Sequence, residues 1–116
     1  MSHRADVLRG LTVVMPRDGT VQEDGSFIEE VDLCPEAQVF SWTICGGFTG
    51  EGPAPDPPEL VAVLKLQDSQ IELWSNCCSV RADLPAGVRW PGSARFIVAP
   101  DAFATLTLSY GQCGAR

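Results

Sequence analysis

The chain has one histidine, His3, one lysine, Lys65, and no apolar run long enough to cross a bilayer. Each scarcity excludes something. A Ser-His-Asp or Cys-His constellation would have to be built on His3, three residues from the start of the chain, so nucleophilic catalysis of that kind is not expected. Fifteen acidic against eight basic residues give a net charge of −7, which repels a phosphate backbone and argues against nucleic-acid partners. The longest apolar stretches, such as residues 60–64, fall far short of a membrane span. Helical periodicity is almost absent as well. Only residues 1–10 read as an arm or a short helix, with Ser2 as N-cap and Gly10 as terminator.

What is present is a period of two. In residues 38–45, Phe40, Trp42 and Ile44 alternate with Val39, Ser41 and Thr43. In residues 102–110, Ala104, Leu106, Leu108 and Tyr110 alternate with Phe103, Thr105, Thr107 and Ser109. Both patterns predict half-buried strands. Shorter runs at residues 11–15, 26–31, 60–66, 71–80 and 95–99 complete the set, and turn chemistry separates them. Pro16-Arg17-Asp18-Gly19 marks a reversal, Asp24-Gly25 a tight hairpin, and residues 67–70 and Pro100-Asp101 shorter breaks. A chain of 116 residues with this pattern predicts one all-β domain over residues 11–116. The expected fold is a β-sandwich or jelly roll of about seven or eight short antiparallel strands, with a small β-barrel as the alternative.

Residues 46–58, GGFTGEGPAPDPP, hold four glycines and four prolines and read as a long connection, neither helix nor central strand. Such a loop is either a solvated crossover or a contact to a neighbour. Residues 84–92 form a similar, shorter stretch.

The five cysteines, Cys34, Cys45, Cys77, Cys78 and Cys113, are an odd number, so they cannot all pair within one chain. Their spacing contains no C-x2-4-C knuckle, and no calcium loop surrounds Asp18 or Asp24, so no metal and no cofactor is expected. Glu29-Glu30 and Glu23-Asp24 are adjacent in sequence and would point to opposite faces of a strand, which does not make a facing carboxylate pair. All five cysteines are candidates for disulfides, some between subunits. If residues 71–80 continue as one strand, Cys77 faces the core and Cys78 faces outward. Mostly buried, reduced thiols are the competing reading. Of the aromatic residues, Trp42 is expected in the core, whereas Phe48 and Trp90 are candidate contacts.

In length, acidity, missing catalytic set and irregular loops, the chain resembles the small all-β accessory proteins of bacteriophage virions, which decorate or cement a capsid or form parts of a tail or neck. That resemblance implies a non-catalytic structural protein partnered with itself and with other subunits of an assembly. Asp6 and Arg9 interrupt any secretory apolar segment, so the expected location is the virion, after synthesis in the host cytoplasm, or otherwise the cytoplasm. Two alternatives stay open. One is a small ligand- or carbohydrate-binding module using Trp90 or Trp74; the other is an intracellular thiol or metal protein.

Overall fold

The structure is a computed structural model and describes residues 9–33, 37–50, 52–53, 55–67, 69–75 and 93–111. Eight strands follow in chain order: β1 (Arg9–Met15), β2 (Thr20–Val21), β3 (Phe27–Asp32), β4 (Gln38–Phe48), β5 (Leu60–Lys65), β6 (Gln70–Trp74), β7 (Ser93–Val98) and β8 (Ala102–Gly111). They form a three-stranded sheet, β1-β8-β4, and a five-stranded sheet, β2-β3-β7-β5-β6, with every pairing antiparallel. Among the described residues the sheets form a sandwich and not a closed barrel.

The alternation expected in residues 102–110 is realised in β8. Ala102, Ala104, Leu106 and Leu108 are buried, while Phe103 and Thr107 are exposed. Opposite them, Phe96 and Val98 of β7 and Ala62 and Leu64 of β5 complete the core. β5 turns Val61 and Ala62 inward in succession because its register with β6 shifts between Leu60 and Ala62, and Val63, also buried, lies outside the core cluster. Such a bulge offsets the inside-outside alternation by one position.

Turn chemistry works as read at Asp24-Gly25. Gly25 takes a φ of +92°, its N–H donates to Gln22 O at 3.0 Å, and β2 and β3 close into a hairpin. Asp24 Oδ1 accepts from Ser26 N–H at 2.9 Å and from Ser26 Oγ–H at 2.6 Å, which holds the Asp24 carboxyl below its ordinary value. The Pro16 to Gly19 turn joins the two sheets, since β1 and β2 belong to different ones. There Asp18 Oδ2 accepts from Val14 N–H at 2.8 Å, while Asp18 N–H donates to Val14 O at 2.8 Å. The Asp18 carboxyl is held low by Arg17 and then by Val14.

Four expectations are corrected. Phe40 does not join Trp42 and Ile44 in the core. The β4–β8 register shifts between Val39 and Ser41, so Phe40 is extruded and is 50% exposed, while Val39, Trp42 and Ile44 point inward. β4 also continues through Gly46, Gly47 and Phe48, so the connection expected at residues 46–58 begins at Thr49. Gly46 is required there because a Cβ would meet Phe103 O and would lie 2.7 Å from Ala104 Cα. β1 starts at Arg9, which takes the last two residues of the expected N-terminal arm into the sheet. Phe48, a candidate contact, is half-buried and packs in part against the core, which leaves that expectation open. Finally, the strand expected over residues 71–80 ends at Trp74, Ser75 has a φ of +33°, and residues 76–80, with Cys77 and Cys78, lie outside the described residues.

Two outcomes follow for stability. Gly46→Ala lowers the denaturant midpoint by the equivalent of about 1–3 kcal/mol, the usual cost of forcing extra volume into a packed site. Gly50→Ala, with open space around it, leaves the midpoint nearly unchanged. Because Asp18 and Asp24 have depressed folded values, their contribution is complete above the ordinary 3.8 and is lost as pH falls through the folded values. The Asp18→Asn, Asp24→Asn double variant therefore melts below wild type at neutral pH, and the gap closes on acidification; thermal melts across pH measure it.

Candidate functional site

The two outer faces of the sandwich differ in charge. On the five-stranded sheet, Glu30 pairs with Arg95, Arg95 with Lys65, and Val63 with Glu72. Glu30 accepts from Ser93 Oγ–H at 2.9 Å and lies 3.3 Å from Arg95 Nε. An open cleft of about 400 Å³ lies beside Glu30, Lys65 and Arg95. At the β6 edge, Trp74 is 46% exposed. Its Nε1–H donates to Glu72 Oε1 at 2.9 Å, and Gln70 Nε2–H donates to Glu72 Oε2 at 2.6 Å, which together hold the Glu72 carboxyl low.

Among the described residues, the outer face of the three-stranded sheet carries no charge. Strand register lines up its side chains in rows. Gly10, Ser109 and Ser41 form one row, Thr12, Thr107 and Thr43 the next, then Val14, Thr105 and Cys45, and Phe103 beside Gly47 ends the face. The extruded Phe40 and the 40% exposed Phe103 add aromatic surface toward its two ends. In a chain with fifteen acids and eight bases, none of the described acids and bases lies at an outward position of this face. With no described charge on it, this face lets a second acidic copy approach with little charge repulsion.

The edges of the two sheets are treated differently too. Unpaired strand edges invite pairing with another chain, and short strands, charges or local caps blunt them. β2 is only two residues long, and β6 carries Glu72. The C-terminal end of β1 is capped by Asp18, which takes both the N–H and the carbonyl of Val14. β4 has eleven residues without a charge or a proline, and among the described residues no strand lies beyond it.

The direction of the β4 backbone groups can be assigned. Thr49 N–H donates to Asp101 O at 2.8 Å, one register step beyond the Phe48–Ala102 pair. Bonded and non-bonded pairs alternate along an antiparallel ladder. Ser41, Thr43, Cys45 and Gly47 therefore bond to β8, and Trp42, Ile44, Gly46 and Phe48 turn their N–H and C=O outward. The same alternation carried across β8 leaves the backbone of Val14 facing away, where Asp18 caps it.

Of the residues singled out by sequence, the structure places Cys45 and Phe48. Cys45 is a half-buried free thiol on the charge-free face, beside Thr105 and on the open strand. Phe48 is next to the same edge but turned inward. Cys34, Cys77, Cys78, Cys113 and Trp90 lie outside the described residues. Among the described residues no group of three or more His, Cys, Asp or Glu is arranged to hold a metal ion. The charge-free face itself went unread in the sequence, although its signal, Ser and Thr at the outward positions of the β4 and β8 segments, was there.

No family model matches this chain, and no curated protein or solved structure is significantly similar to it.

Proposed function

We propose that this chain is a non-catalytic structural protein that self-associates through its three-stranded sheet. The observation that carries the reading is the outer face of β1-β8-β4, uncharged among the described residues and ending in β4, beyond which no described strand lies. An uncharged edge strand eleven residues long is a liability for a monomer, and pairing with a neighbour removes it. A role as a virion component such as a capsid decoration or cement protein, made in the host cytoplasm and carried in the particle, belongs to this reading. Its partners are further copies of itself and other subunits of the assembly.

Trp74 supports a second reading, a small carbohydrate- or ligand-binding module. An exposed indole beside the Glu72 carboxylate and the Gln70 amide offers a stacking surface with polar neighbours. Native mass measurement of the full chain, in reductant and at neutral pH, separates the two. The assembly reading expects a multiple of the chain mass. A monomer at every concentration, with Trp74 fluorescence quenched by added oligosaccharide, overturns it in favour of the module.

A further inference from the structure

Resting on the assembly reading, we propose that two copies of this chain pair β4 against β4 in antiparallel fashion, about a twofold axis that passes through Cys45. The result is one six-stranded sheet, β1-β8-β4-β4-β8-β1.

The register follows from which backbone groups are open. Trp42, Ile44, Gly46 and Phe48 present their N–H and C=O away from β8, as the Thr49–Asp101 bond and the Asp18 cap on Val14 require. Two antiparallel copies satisfy all four only when Trp42 faces the second copy's Phe48 and Ile44 faces its Gly46. Sliding the pair toward the N-terminus sets Phe48 against Phe40, where the strand is bulged. Sliding it the other way sets Trp42 against Gly50, beyond the end of β4. A twofold interface is self-complementary by construction, and this strand meets that demand with no charge on either side.

The chosen register has a chemical consequence. Cys45 of one copy lies directly opposite Cys45 of the other, in a non-bonded pair, the closer of the two antiparallel spacings. Cross-strand Cβ atoms in such pairs approach to about 4.5 Å, near the upper end of what a disulfide spans. With a small-molecule disulfide such as oxidised glutathione, one Cys45 thiolate attacks it and releases reduced glutathione. The second Cys45 thiolate then displaces the remaining glutathione. Two protein thiols are oxidised to one S–S bond, and the small disulfide is reduced to two thiols. The small residues around the axis leave room for the approach, since Thr43 faces the second copy's Gly47.

Sedimentation velocity on the full chain in reductant tests the pairing, with circular dichroism and thermal melts as fold controls. Wild type and Cys45→Ser are expected to sediment as dimers. Cys45→Lys, which sets two like charges face to face across the axis, is expected to sediment as a folded monomer. If Cys45→Lys does not fold, Thr43→Lys, at an exposed position on the same strand, serves the same purpose. After treatment with oxidised glutathione, wild type gives a covalent dimer on a non-reducing gel and Cys45→Ser does not. A dimer that survives both lysine substitutions, or a covalent dimer formed equally by Cys45→Ser, overturns this pairing and leaves the assembly reading standing. A monomeric wild type overturns both.

Discussion

β8 is the strand on which both the core and the candidate interface depend. It is hydrogen-bonded on both sides, to β1 and to β4, and its ten residues divide strictly between the two faces. Its inward set, Ala102 to Leu108 in steps of two, fills the sandwich. Its outward set, Phe103, Thr105, Thr107 and Ser109, gives the outer face its uncharged character and aligns Thr12, Val14, Thr43 and Cys45 beside it. A slip of one residue in β8 would put its threonines and Ser109 against Phe96 and Leu64 and bring its leucines to solvent. The hydrophobic requirement of the core therefore fixes which face is left for contact with a neighbour.

That coupling leads from packing to recognition. Antiparallel geometry makes the residues that bond to β8 and the residues that stay open alternate along β4. The open set, Trp42 to Phe48 in steps of two, is the set whose side chains point to the core. Their side chains are consequently held by packing while their amides and carbonyls are held outward, an ordered ladder ready for a partner strand. β1 has the same geometry on the opposite edge, where Asp18 takes up the backbone of Val14 and leaves Gly10 and Thr12 of the outward set. The two edges of the sheet thus differ, β1 being capped at one end and β4 meeting no strand among the described residues.

Much of the fold was legible in the sequence because period-two patterning is a local property. Residues 102–110 and the Asp24-Gly25 hairpin were read directly from it, as was the core position of Trp42. Phe40 was misread because a bulge is a property of two strands, and nothing in residues 38–45 shows that β8 will skip a partner there. Gly46 and Gly47 were misread because glycine next to proline-rich sequence signals a loop, whereas Gly46 is needed for its close backbone approach to Ala104. The site was less legible still. Cys45 was named as one thiol among five, and Ser41, Thr43, Thr105 and Thr107 were read only as alternating with the neighbouring apolar set. That they share one face depends on pairing β4 with a strand some sixty residues away, which no local pattern reports.

Residue-resolved amide hydrogen exchange along β4, at a concentration where the chain is assembled, measures the central claim most directly. The account predicts that Trp42, Ile44, Gly46 and Phe48 exchange as slowly as Thr43, Cys45 and Gly47, because a second copy bonds the first set as β8 bonds the second. An alternating pattern, with the even-numbered amides exchanging freely while their odd-numbered neighbours stay protected, would show an edge that nothing covers and would contradict it.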